Sequence, residues 1–175
     1  RLLLRQLVTR GRIIALLALG GVLILAALGV AASAEIDDQV EAMVGVIDGL
    51  GLVLVVPVVA LVFASASLGD GREDGTLVYL WLRPMDRLPV VIGAFFASIT
   101  VSLPLTVVPM AIAAAVGGSG SDGIMATVVA SGVGVLGYSA LFVLLGLLVK
   151  NAIIWGLAYV LLWEGLFTQF SSAIG

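Results

Sequence analysis

One acidic side chain falls inside a long apolar run near the end of the chain: Glu164, in Tyr159-Val160-Leu161-Leu162-Trp163-Glu164. A carboxylate in hydrocarbon is expensive, so Glu164 is expected to face a protein interior or a wet cavity. There it suits a substrate contact or a proton relay; the structural alternative is an acid near the outer headgroups or tied to a partner group. Counted from Ala152, it lies about 18 Å along a helix. The other group of interest is a charged segment, Gly69 to Gly93, which holds seven of the nineteen charged residues. Arg72, Glu73 and Asp74 stand at one end and Arg83, Asp86 and Arg87 at the other. Between them TLVYLWL is apolar enough to want burial but far shorter than the roughly 20 residues a bilayer crossing needs. Such a segment belongs at the membrane surface or docked on a protein there.

The rest of the inventory removes most catalytic chemistry. The 175 residues include no His and no Cys, which excludes thiol chemistry, the usual zinc ligands and His-based acid–base catalysis. Intramembrane serine hydrolysis lacks a base within a span, and an aspartyl mechanism needs two carboxylates where only Glu164 qualifies. No Walker A pattern is present, and Gly117 to Gly123, GGSGSDG, lacks the Lys and the preceding strand of a phosphate loop. Glu35, Asp37, Asp38, Glu41 and Asp48 lack an EF-hand's spacing and central Gly. Nucleic-acid binding has no basic patch beyond the terminal arginines. The chain is therefore expected to be no enzyme and to hold no metal or cofactor of its own.

These residues must be positioned by membrane helices. The composition is 62% hydrophobic and 11% charged, against about 25% charged in a soluble domain, so lipid is the expected solvent. The expected fold class is an all-α, polytopic helical bundle in one transmembrane domain. Residues 1–12, RLLLRQLVTRGR, set Arg1, Arg5 and Arg12 near one stripe opposite Leu3, Leu4 and Leu7, the pattern of a basic amphipathic elbow helix on an anionic leaflet. The first span is 13–33, 21 residues without a charge. Although Ala32-Ser33-Ala34 resembles a cleavage site, this run exceeds the roughly 7–15 residues of a signal peptide. An acidic connector, Glu35 to Asp48, is expected to be a solvated loop. The second span is 49–68, kinked at Pro57. The charged loop occupies 69–88, with Asp74 capping a short helix Leu77 to Leu82 that Pro84 stops. The third span, 89–116, is interrupted by Pro104 and Pro109; the fourth is 124–149, with Ala126, Ala130 and Gly134 as a small-residue stripe of ordinary packing. Lys150-Asn151 makes a tight turn into the fifth span, 152–170.

With the amino terminus in the cytoplasm, all eight basic residues (Arg1, Arg5, Arg10, Arg12, Arg72, Arg83, Arg87 and Lys150) fall on cytoplasmic segments, which satisfies the positive-inside rule. Five spans leave the carboxyl terminus outside, so a sixth is expected beyond residue 175. Since position 1 is Arg, the numbering is expected to begin inside a longer chain.

At the charged loop the sequence resembles the ABC-2 family of ABC transporter permeases, whose chains carry E-x-G-T-L-x-x-L-L-x-x-P-x-x-R between spans two and three. Glu73-Asp74-Gly75-Thr76-Leu77, Leu80, Leu82, Arg83-Pro84, Arg87 and Gly93 follow that run in order. Pro57 to Leu68 is similar to its lead-in, and Tyr159 to Gly165, YVLLWEG, to the fifth span with its Trp-Glu pair. The resemblance implies an elbow helix, six spans, and two permease copies, identical or related, facing each other in a bacterial plasma (inner) membrane. It implies two cytoplasmic ATPase subunits, which would carry ATP and Mg, docked on Arg72, Glu73, Asp74, Thr76, Leu77, Leu80, Trp81, Arg83 and Arg87. Substrate, exported in the commoner family role, would move along the permease interface past Glu164. Ala94 follows Gly93 where the family often has Lys, and the sixth span is not within the sequence. The alternatives are a membrane anchoring or assembly subunit without transport, and a proton-coupled carrier using Glu164.

Overall fold

The computed structural model describes residues 9–33, 36–73, 87–149 and 151–162. Among these every regular element is helical. Helix α1 is Arg10–Ser33, α2 is Ile36–Gly45, and a π-helical run Val46–Val55 leads into α3, Val56–Glu73. Helix α4 is Arg87–Val116, α5 is Ser121–Leu148 and α6 is Ala152–Leu162. Four helical stretches are long and apolar enough to cross a membrane: Arg10–Ala32, Gln39–Ser67, Leu88–Val116 and Ser121–Leu148. The first, third and fourth are apolar all round rather than along one stripe, the mark of a helix immersed in protein or lipid. Large apolar side chains cover the outside, with Leu25 68%, Val133 64% and Leu161 66% exposed. A water-soluble monomer rarely shows contiguous apolar surface on that scale.

Two interior clusters fix the packing. The first joins Leu16, Leu23 and Ala27 of α1 to Met43, Val55, Val59, Phe63 and Ala66, and to Ala97, Met110 and Ala113 of α4. The second joins Ala60, Leu61 and Ala64 of α3 and Ala94 of α4 to Phe142 and Val143 of α5 and Val160 of α6. Only α3 and α4 contribute substantially to both, so they form the central pair, with α1 on one flank and α5 and α6 on the other. Close contacts set the heights: Met43 lies against Gly117 at one end, Met110 against Gly51 midway, and Leu61 against Gly156 towards the other.

Helices α1 and α4 approach closely at Gly20, which is buried. A Cβ there would sit 2.9 Å from Cγ and 3.1 Å from Cβ of Pro109. A pyrrolidine ring fixed to a helix backbone cannot swing away. Gly20→Val is therefore expected to push α1 off α4 and cost about 1–3 kcal/mol. Gly21→Val, whose Cβ meets nothing within 4 Å, should lie near wild type when both are unfolded by SDS titration in detergent.

Several expectations change. The acidic connector is helical over most of its length: α2, the π run and α3 follow one another without a break from Ile36 to Glu73. Water solvates it without unwinding it, since Glu41 and Asp48 are both exposed on the helix surface. Arg10 to Arg12, assigned to the elbow, form the first turn of α1; residues 1–8 lie outside the described residues. The expected kink at Pro57 is accommodated by the π run. Proline clashes with the carbonyl four residues back, here Val53; with wide turns in place, Val56 N–H donates to Gly51, five residues back, just before Pro57 enters. Pro104 and Pro109 do not interrupt α4, which runs through both.

The turns follow local chemistry. Helix α4 ends in a Schellman motif: Ser119 N–H donates to Ala114 O (3.1 Å) and Gly118 N–H to Ala115 O (3.3 Å). This requires the left-handed conformation at Gly118, φ 74°, which glycine adopts without strain. Asp122 then lies in the first turn of α5, where a negative charge suits the helix dipole. At the α5–α6 junction Asn151 takes φ 66°, and its carbonyl accepts from Ile154 N–H at 3.0 Å. Asn151 is the described half of the expected turn; Lys150 lies outside the described residues.

Candidate functional site

The charged loop joins the two central helices. Arg72 and Glu73 are the last residues of α3, and Arg87 is the first of α4. Asp74, Thr76, Leu77, Leu80, Trp81 and Arg83 lie outside the described residues, as do Glu164 and the remainder of the expected fifth span. Successive spans alternate in direction, so the start of α1, the end of α3, the start of α4 and the α5–α6 junction share one end of the bundle. In sequence that end carries Arg10, Arg12, Arg72, Arg87 and Lys150 against the acids Asp70 and Glu73; the opposite end carries Glu41, Asp48 and Asp122, all three exposed. The bundle thus has a basic end and an acidic end.

Within the bundle the structure brings together a group of residues that the sequence reading passed over. Ser98, Ser102 and Thr106 on α4, Thr127, Ser131 and Ser139 on α5, and Ser65 and Ser67 on α3 are all buried. On α4 they recur every fourth residue, and on α5 Thr127, Ser131, Val135 and Ser139 do the same, so each set lines one helix face. The two faces run antiparallel from a turn centred between Gly118 and Ser119. Counted by helical rise from that point, Ser98 falls level with Ser139 and Thr106 with Ser131, to within about a turn.

Six of these hydroxyls donate to a carbonyl of their own helix. Ser102 Oγ donates to Ser98 O (2.8 Å), Ser98 Oγ to Phe95 O (2.8 Å), Thr127 Oγ1 to Gly123 O (2.8 Å) and Ser131 Oγ to Val128 O (3.1 Å). Ser67 Oγ donates to Ala64 O (2.6 Å) and Ser65 Oγ to Leu61 O. Such back-bonding is how a hydroxyl is tolerated in an apolar helix. Thr100, which faces outward, does the same to Phe96 O at 2.7 Å. Two buried oxygens, Thr106 Oγ1 and Ser139 Oγ, have no hydrogen-bond partner.

The four-residue spacing of Ser and Thr on α4 and α5 was visible in the sequence. Small hydroxyls count as neutral in a hydropathy reading, and so the pattern went unread. The stripe that was read, Ala126 and Ala130, is exposed; the buried stripe of α5 is the one beside it, and only Gly134 packs inward, where a Cβ would lie 3.0 Å from Val56 Cγ1.

The chain is an all-helical protein with helices fit to cross a membrane. Among the described residues the buried polar side chains are all Ser or Thr, and no three His, Cys, Asp or Glu side chains gather where they could hold a metal. No protein-family model, curated protein or solved structure matches the chain.

Proposed function

We propose that this chain is the transmembrane permease subunit of an ATP-binding-cassette transporter of the ABC-2 type. It works with a second permease copy and is driven by cytoplasmic ATPase subunits docked on the 72–87 loop. The observation that carries the reading is the run Glu73-Asp74-Gly75-Thr76-Leu77…Arg83-Pro84…Arg87, which falls between the two helices at the centre of the packing.

The position supports a mechanical role. A short segment with Leu77, Leu80 and Trp81 offers an apolar anchor, and the charges around it offer steering and register. Its ends continue directly into α3 and α4, which contact every other part of the core, so a displacement imposed on the loop reaches the whole bundle. The basic end of the bundle is the cytoplasmic one on the positive-inside rule, which puts the loop on the side where ATP is available. Substrate moves, outward in this reading, along the interface between permeases, with Glu164 on its path.

The test is purification of the chain in mild detergent with its genomic-neighbour ATPase, followed by an ATPase assay of the complex. The expected result is stoichiometric co-purification of an active ATPase. A chain that never retains an ATPase overturns the reading and favours an anchoring subunit. Loss of transport on dissipating the proton gradient, with ATP still present, would favour a proton-coupled carrier.

A further inference from the structure

Thr106, like Ser139, stands apart from the other buried hydroxyls. It has no exposed surface, and its hydroxyl has no partner although six comparable hydroxyls bond to their own helices. Its surroundings supply complementary polar groups. Pro109 has no N–H, so the carbonyl of Leu105, adjacent to Thr106, lacks the donor that an α-helix would give it. Ser131 is level with it on α5 by residue count from the α4–α5 turn; its hydroxyl donates to Val128 O, and its oxygen can still accept. A donor without an acceptor, a carbonyl without its helical donor and an oxygen with an unused lone pair thus fall at one level of the bundle.

A water molecule matches all three. We propose that α4 holds an ordered water beside Thr106, accepting from its hydroxyl and donating to the carbonyl of Leu105, with Ser131 Oγ as third partner. Buried waters typically make about three such bonds to groups left otherwise unsatisfied. Proline is tolerated in membrane helices through the same kind of substitution. The consequence is a hydrated joint in the middle of α4: near Pro109 the helix is bridged by a mobile molecule instead of its own backbone, and bending there breaks no backbone hydrogen bond. This inference stands on packing alone and does not depend on the transport reading.

Radiolytic hydroxyl-radical labelling tests it, because X-rays split bound water and oxidise side chains beside it. Met110 is fully buried and lies one turn from Thr106 on the same face of α4, so it is the reporter. Met43, buried at the end of the bundle against Gly117, is the reference. In the purified chain Met110 is expected to be oxidised, to fall to background in Thr106→Val, and to recover in Thr106→Ser, with Met43 unchanged throughout. Thr106→Val should also melt below wild type, since the water loses its donor. Met110 unlabelled in the wild type, or labelled equally in Thr106→Val, overturns the proposal. So does a rise in melting temperature in Thr106→Val, the result expected when a dry, unpaired hydroxyl is removed.

Discussion

Phe142→Ala is expected to be among the most damaging single truncations in the described core, costing about 3–5 kcal/mol. Phe142 is fully buried. Its ring stacks on Tyr138 with centroids 5.8 Å apart and an interplanar angle of 18°, and meets Tyr159 edge-on at 6.5 Å and 82°. Aromatic pairs contribute about 0.5–1.5 kcal/mol beyond the area they bury, and here one of them ties α5 to α6. The ring also reaches the α3 side of the core, where Leu61 and Phe142 both crowd Gly156. Around it stand Ala60, Ala64 and Ala94, too short to close the space. In lipid, packing of this kind is the main force holding helices together. Unfolding by SDS titration in detergent should show the loss, with Phe142→Leu recovering much of it; a Phe142→Ala variant within about 1 kcal/mol of wild type would be well below any core aromatic truncation on that scale and would show that α6 is not held through this ring.

What could be read in advance divides along physical lines. Helices α4 and α5 begin and end within about three residues of expectation, a margin normal for helix ends, because uncharged runs of that length have one stable form in lipid. The acidic segment from Ile36 was misread for the converse reason. Charge marks where water reaches, but it does not forbid helix: Ile36–Gly45 holds Glu41 outside while Met43 packs inward against Gly117. The π run preceding Pro57 was foreseen only as a break, since proline identifies where an α-helix fails without saying how the backbone adapts. Hydroxyls gave the largest blind spot. Ser98, Ser102, Thr106, Ser131 and Ser139 carry no charge and little hydropathy, so which of them face inward is decided by how helices pack. The docking residues present the opposite case: Leu77, Leu80 and Trp81 were singled out from sequence pattern, and they lie outside the described residues.

On the proposed permease reading, replacing both Leu77 and Trp81 with aspartate is expected to abolish retention of an ATPase subunit while leaving the bundle intact. A tryptophan at the centre of an interface commonly accounts for about 2 kcal/mol or more of binding on truncation. An aspartate in its place adds a desolvated carboxylate with no partner, a further cost of the kind that disfavours unpaired buried charge. Two such changes amount to roughly 4 kcal/mol or more, at least about a thousandfold in affinity, enough to lose a complex during purification. Both residues lie in the loop between α3 and α4 in sequence, and on the docking reading they face the ATPase subunit, so the melting temperature should hold near wild type. Phe142→Ala should behave in the reverse way, lowering the melting temperature while sparing the docking loop. Charge changes at Arg72 and Arg87 offer a graded comparison, because rim charges govern encounter rate and salt dependence more than residence time; alanine there should slow association at low salt and leave dissociation little changed. If the double aspartate variant keeps its ATPase at wild-type stoichiometry, the loop is a surface segment and the motor grips the bundle elsewhere. If it loses the ATPase with the fold preserved, the junction of the two central helices is where the force of ATP hydrolysis enters the membrane.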